Sequence, residues 1–213
     1  LAVAIAADFP AERMNFHGNN KGREELVEAL RYGIGLITLD SFAEIELLNE
    51  VAGELGVKQQ VMLRLSPSID PHTHMLTSTG ILDSKFGFSI ETGDAEVAVK
   101  QALEQDNLDV VGVHFHLGSP IFELEPYSEA IDYVLKFSAD MRDKYGLDLK
   151  RFSPGGGFAI GYVSDTLPPA MSDYAKEIAV AIRKGCDTYG LDEPIVSVEP
   201  GRAIVGRAGV AVY

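Results

Sequence analysis

Apolar, β-branched runs alternate with helix-period segments along this chain, and no short turn joins one run directly to the next. Antiparallel neighbours need only a hairpin, whereas a helical crossover sets the next strand parallel to the last. The strand candidates are residues 13–17, 35–40, 60–65, 109–116, 151–153 and 194–199. Between the second and third, Ser41 and Glu44 read as a capping box, with Phe42, Ile45, Leu48 and Val51 on one face and Gly56 as the stop. A later helix has Pro126 in its first turn, a stripe of Ile131, Val134, Leu135 and Met141, and Gly146 at its end. A third, about 172–189, carries Tyr174, Ile178 and Ile182 and stops at Gly190. The opening Leu1 to Ala7 reads as the end of a further helix.

Six parallel strands permit an open doubly wound sheet or part of an eight-stranded barrel. The polar residues favour the barrel. His17, Asp40, Arg64, His116, the glycines at 155–157 and Glu199 all fall at or just after the C-terminal ends of different strands. Barrel enzymes gather their catalytic groups along that rim, whereas an open sheet concentrates them near one switch point.

The net charge of −14 argues against nucleic acid or an anionic membrane as a general partner, while leaving room for a local phosphate pocket. A single cysteine, Cys186, excludes an intrachain disulfide, fits a reducing, cytoplasmic setting and reads as structural. No apolar run approaches the roughly 20 residues that span a membrane. The chain lacks an initiator methionine, and residues 1–7 have no basic flank, so a truncated sequence is expected rather than a signal peptide.

Three segments carry the chemistry. In 110–116 the period of two places His114 and His116 on one face, and Gly118 and Ser119 follow at once. A glycine and a hydroxyl after a strand suit a phosphate oxygen, so an imidazole here lies well against a planar cofactor. Two histidines at this spacing also suit a metal, and His72 with His74 repeats the spacing in a loop; core histidines satisfied by hydrogen bonds are the plain alternative. Gly155, Gly156 and Gly157 weaken regular structure, and the usual reason is close backbone approach to an anion. They match neither the dinucleotide fingerprint nor the lysine-bearing phosphate loop. Glu199, Pro200, Gly201 and Arg202 set a carboxylate at a strand end and a guanidinium three residues on. A simple salt bridge between them is the plain reading. In a phosphate site for a heteroaromatic ring, Glu199 would instead keep a pyridine nitrogen protonated and Arg202 would neutralise phosphate or substrate carboxylate. The set suits pyridoxal phosphate.

Six segments in order also resemble one family: His17-Gly-Asn-Asn-Lys21, Asp70 to His74 with Ser78-Thr-Gly80, Ser84 to Phe88, His116 to Ser119, Gly155 to Phe158, and Glu199 to Arg202. Over essentially its whole length the chain resembles the diaminopimelate decarboxylases, of the alanine-racemase-like, pyridoxal-phosphate-dependent group. The resemblance implies an α/β fold: a partial TIM (β/α)8 barrel of about six of the eight βα units, strands 3 to 8, without the first two strands and the C-terminal β-domain. It places a pyridoxal-phosphate-binding barrel domain at 1–205 and the start of a connection to that β-domain at 206–213.

It further implies decarboxylation of meso-2,6-diaminopimelate to L-lysine by a cytoplasmic homodimer. His116 would stack on the cofactor ring and act with Glu199 in catalysis. Ser119 and Gly155 to Gly157 would bind the phosphate, with Gly157 the foremost amide contact. Glu199 would meet the pyridine nitrogen, Pro200 and Gly201 would line the cofactor, and Arg202 would touch phosphate and substrate. No residue is assigned to a metal. The diaminopimelate assignment leans on residues 72–80; ornithine-, arginine- or carboxynorspermidine-type decarboxylases, or a silent cofactor-binding homologue, are the alternatives. A metal-dependent barrel hydrolase using His72, His74, His114 and His116 stands further off.

Some features depart from the family. Its cofactor-holding lysine belongs to the first barrel strand, and the nine lysines here offer no good substitute; Lys85 lies in a motif that does not carry that bond. Cys186 precedes Glu199 and so does not match the family's active-site cysteine, which follows it. Pro120 stands where glutamine usually follows Gly-Ser. A fragment with these gaps is expected to be inactive alone and to expose the apolar edges of its terminal strands.

Overall fold

The computed structural model describes residues 1–68, 86–161 and 167–209. Its strands are β1 (Asn15–Phe16), β2 (Leu36–Leu39), β3 (Gln59–Ser66), β4 (Phe88–Ser89), β5 (Leu108–Phe115), β6 (Arg151–Ser153) and β7 (Ile195–Val196). All pair in parallel, in the order β1-β2-β3-β5-β6-β7, with the short β4 beside the end of β3. The helices are α1 (Ala2–Ala6), α2 (Arg23–Tyr32), α3 (Phe42–Leu55), α4 (Asp94–Leu103), α5 (Glu125–Tyr145), α6 (Met171–Tyr189) and α7 (Gly201–Val205). This is an α/β fold, part of a (β/α)8 barrel. The six strands expected from sequence are all present; β4, α2, α4 and α7 are additions to the elements read there.

Local chemistry accounts for the boundaries. Helices α2, α3, α5 and α6 each end on a left-handed glycine, at Gly33, Gly56, Gly146 and Gly190. Ser41 caps α3 by accepting from the Glu44 N–H at 3.4 Å. The reciprocal half of the expected capping box does not form, because the Glu44 carboxylate is engaged by Asp40 N and by Lys21. Residues 206–209 contain no strand, and residues 210–213, where the start of one was expected, lie outside the described residues.

The sheet has two different faces. Outward, Ile37, Leu39, Val61, Leu63, Leu65, Val113, Phe115 and Phe152 are buried against the helices in one continuous core. Inward, Leu36, Met62 and Val111 form a separate small apolar layer. A register shift in β5 relative to β3, between Val61 and Met62, turns Val111 inward while keeping Val113 and Phe115 outward. Above that layer, towards the strand C-termini, Thr38, Arg64 and His114 follow at the same alternation. The apolar floor and polar rim of the interior are thus set by strand periodicity. At the far edge, β7 exposes Ile195 at 65% and Val196 at 42%, as expected for a terminal strand of an incomplete barrel.

One buried ion pair locks the rim. Lys21 Nζ donates to Glu44 Oε2 at 2.9 Å, to Thr38 O at 2.8 Å and to Gly18 O at 2.5 Å. Glu44 also accepts from Lys21 N at 3.1 Å and Asp40 N at 2.8 Å. The loop after β1, the end of β2 and the first turn of α3 therefore share one carboxylate. Removing one member of such a pair leaves a buried charge without compensation, at about 3–5 kcal/mol. Lys21→Met is expected to lower stability by that order in urea unfolding, and Lys21→Met with Glu44→Leu to recover part of it. A single variant as stable as the parent would contradict this role.

Candidate functional site

Four strand ends meet at the rim. Glu199, just beyond β7, places Oε1 3.1 Å from His114 Nε2 of β5 and 3.3 Å from His17 Nε2, which follows β1. The two imidazoles lie edge to face, with centroids 4.8 Å apart. His17 and Glu199 belong to opposite edges of the sheet, so the sheet curls far enough for its first and last strand ends to face each other. Asn15 Nδ2 sits 2.7 Å from His17 Nε2, and Thr38 Oγ1 donates to Asn15 Oδ1 at 3.1 Å. Nearby, Arg64 donates to Asp40 at 3.2 Å and lies over the Phe86 ring at 4.7 Å.

His114 is 1% exposed, and neither of its ring nitrogens makes an aligned hydrogen bond. Its approach to Glu199 is short, but the ring is not aimed along the N–H···O line. Burial by itself pushes the Glu199 carboxyl up; the hydrogen-bonding reach and charge of His114, with His17 and His116, outweigh it and hold Glu199 at about 2. Burial, and then the neighbouring His114, hold His17 down at about 4, against the pull of Glu199. Burial also lowers His116. At neutral pH the centre is therefore an ionised carboxylate beside a neutral His17.

The sequence-derived residues fall into two groups. His116 is half-buried, and its Nδ1 accepts from Gly156 N–H at 3.2 Å, which puts the proton of the neutral ring on Nε2. The glycines at 155–157 have a structural reason of their own. A Cβ at Gly155 would lie 2.6 Å from Phe115 O, one at Gly156 2.0 Å from Glu199 O, and one at Gly157 2.1 Å from Gly118 O. Gly155 N–H is directed to Ser153 Oγ and Gly157 O accepts from Ile121 N. The triplet thus lets three backbone segments converge, which sequence reasoning had ascribed to anion approach alone.

In the second group Arg202 Nε donates to Ser119 Oγ at 3.1 Å, and no ion pair joins Glu199 to Arg202 among the described residues. The plain salt-bridge reading of that segment is therefore set aside. A Cβ added at Gly118 or Gly201 would meet nothing within 4 Å, so these backbones border open space; Pro200 lies between Glu199 and Gly201 at the start of α7.

Sequence reasoning missed the props behind the rim. Tyr127 Oη donates to Gly156 O at 2.6 Å, and Tyr174 Oη donates to Ile121 O at 2.5 Å while accepting from Ala159 N. Burial pushes both phenols up. It also missed that His17 and His114 share Glu199; their positions at strand ends were legible, their convergence was not. His72, His74, Ser78 to Gly80 and Lys85 lie outside the described residues.

The family described as pyridoxal-dependent decarboxylase, pyridoxal binding domain, matches residues 1–206. The diaminopimelate decarboxylase of Bacillus subtilis (strain 168) is 42% identical over 213 residues, which are 100% of this chain and 48% of that one. That of Corynebacterium efficiens is 39% identical over 213 residues, 100% of this chain and 46% of that one. The crystal structure of the M. jannaschii diaminopimelate decarboxylase in complex with L-lysine superposes with a TM-score of 0.87 at 34% identity, covering 95% of this chain and 46% of that one. The chain spans about half the length of the curated relatives it matches.

Native stability is expected to fall with acid in two steps. A His whose folded pKa is lowered binds protons preferentially when unfolded, so stability present above about 6.5 is lost as pH falls towards about 4. Glu199, depressed from its ordinary 4.5, loses its contribution only as pH falls towards about 2. After allowance for partial exposure, His17 accounts for about 1–2 kcal/mol of the first step. Urea unfolding at pH 7 and pH 4.5 should therefore show a smaller difference in His17→Gln than in the parent; an equal difference would assign the step elsewhere.

Proposed function

The chain belongs to the pyridoxal-dependent decarboxylase family, and from that premise we propose that the protein containing it converts meso-2,6-diaminopimelate to L-lysine and carbon dioxide. The observation that carries the reading is the Glu199 carboxylate, held ionised at the rim where four strand ends meet. The substrate rests on 37–42% identity to diaminopimelate decarboxylases across the whole chain. A lysine/ornithine decarboxylase from Vibrio vulnificus, at 24% identity, shares only the fold by this measure.

The donor set fits pyridoxal phosphate. Glu199 offers an acceptor for a pyridinium N–H, and only its Oε1 is engaged by the histidines. His116, half-buried and fixed through Nδ1, presents a ring to stack. Ser119 and Arg202 bring a hydroxyl and a guanidinium together beside the open backbones of Gly118 and Gly201, a combination suited to phosphate. Gly155, Gly156 and Gly157, with Pro200, complete the wall, and Arg202 is also the proposed contact for a substrate carboxylate. The chemistry supplied by the bound cofactor is an electron sink for the pair left when the Cα–carboxylate bond breaks. Glu199 keeps the ring nitrogen protonated, while His116 orients the ring. A cytoplasmic homodimer, with residues 1–205 as the cofactor-binding barrel domain and 206–213 leading to another domain, is the setting this reading implies.

Two measurements test it on the full-length protein. Carbon dioxide release should favour meso-diaminopimelate, and Glu199→Gln should lower kcat on the order of a hundredfold; preference for ornithine would overturn the substrate. Borohydride reduction with pyridoxal phosphate should fix a pyridoxyl group on a lysine outside this chain. Of the lysines described, Lys21 is buried in its ion pair and the others are exposed. A stoichiometric adduct within the chain would refute that placement, and no adduct anywhere would favour the silent homologue.

A further inference from the structure

We infer that, in the cofactor-free protein, His17 Nε2, His114 Nε2 and Glu199 Oε1 form a three-ligand site for a zinc-class divalent cation. These atoms lie within 4.8 Å of one another and come from the ends of three separate strands or the residues just beyond them. A tetrahedral ion bound at about 2.0–2.2 Å holds its ligands about 3.3–3.6 Å apart. The two distances to Glu199 Oε1, 3.1 Å and 3.3 Å, lie at or just below that range. Two imidazoles and a carboxylate are a donor set that suits zinc, with the fourth position left to water.

The second observation is His114 itself. It is 1% exposed, both ring nitrogens lack an aligned partner, and its Nε2 lies 3.1 Å from Glu199 Oε1. Leaving a buried polar atom unsatisfied is costly, and an ion on Nε2 would remove that cost for one of the two ring nitrogens. His17 is arranged consistently. Its Nε2 faces the Asn15 amide nitrogen at 2.7 Å, so with Asn15 donating it presents a lone pair and has no proton to give Glu199. A cation between the three atoms would take up that lone pair, a second from His114 Nε2 once its proton is on Nδ1, and the negative charge of Glu199. Asn15 is exposed and can swing aside, ceding the same lone pair to the ion.

The site differs from the hydrolase arrangement considered from sequence, which combined His114 with His116, His72 and His74. It goes beyond the proposed decarboxylation, and only one consequence rests on that reading: a metal on Glu199 withdraws it from the pyridine nitrogen, so metal and pyridoxal phosphate exclude each other.

The test is a cobalt(II) titration of the full-length protein after removal of its cofactor, followed by zinc(II) displacement. One equivalent of cobalt should bind with the intense visible bands of four-coordinate geometry. His114→Gln and His17→Gln should each weaken binding at least about a hundredfold, more than loss of an outer-sphere partner. Asn15→Ala should tighten it, because the competing donor is gone. His72→Gln with His74→Gln should leave it unchanged. Absence of a stoichiometric site, or binding abolished by the His72/His74 variant and indifferent to His17, would overturn the proposal. Circular dichroism identifies a His114 variant that has not folded; the half-buried His17 and exposed Asn15 then decide. Pre-loading with pyridoxal phosphate should suppress the bands. Cobalt binding that survives pre-loading but still needs His17 and His114 would refute exclusion alone, and a protein that takes up no pyridoxal phosphate would refute the cofactor reading alone.

Discussion

Backbone approaches backbone so closely at the inner ends of β5, β6 and β7 that no side chain fits between them. A Cβ at Gly112 would lie 1.9 Å from Arg151 O, and the positions at Gly155, Gly156 and Gly157 are equally closed. Overlap of that size cannot be relieved by rotating a side chain, because the obstructing atoms are main-chain carbonyls. The rim geometry follows from these contacts. They draw the segment after β6 against the end of β5 and against Glu199, so His114, His116 and Glu199 share one small volume. Tyr127 and Tyr174 hold the same segments from the helix side through hydrogen bonds to backbone carbonyls.

Charge is partitioned with the same economy. Besides the Arg64–Asp40 pair, two buried or half-buried acid–base groupings at the rim are kept apart. Lys21 and Glu44 satisfy each other with four further backbone contacts, leaving the pair inert and its loops fixed. Glu199 instead faces imidazoles, of which His17 is held neutral by burial. A lysine in place of His17 would neutralise Glu199 permanently; an imidazole leaves the carboxylate charged and half-open. Lysine is thus committed to architecture and histidine to the site.

The fold was largely legible because parallel strands buried on both faces read as apolar runs, and because left-handed glycines mark helix ends. Residues 109–116 and 35–40 announced themselves this way, and the strand-end positions of His17, Asp40, Arg64 and Glu199 exposed the rim. What stayed hidden was pairwise. Nothing local in sequence distinguishes a Glu44 that caps its own helix from one that reaches back to Lys21. Nor does it reveal that Glu199 prefers His114 and His17 to Arg202, three residues away. Those choices depend on how far the sheet curls, which is set by the β5 register shift and the glycine contacts rather than by any residue in the pairs. The glycine triplet shows the same limit: its need for space was evident, whereas the carbonyls that occupy that space come from 39 to 43 positions away in the chain.

That dependence also bears on the lysine. A basic amine at a barrel rim is a candidate to hold an aldehyde only if its nitrogen is free to reach the mouth. Lys21 is not. Its Nζ is buried and donates to three oxygens, two of them carbonyls and one a carboxylate. Freeing it would break the pair that fixes the ends of β1 and β2, and with them His17. The half of the rim described here therefore supplies the acid that faces a ring nitrogen, the imidazole beside the ring and the anion-binding hydroxyl and guanidinium, divided between the segments that follow β5 and β7. Under the proposed function the amine must come from the opposite side of the mouth, where the edges of β1 and β7 face each other across Glu199.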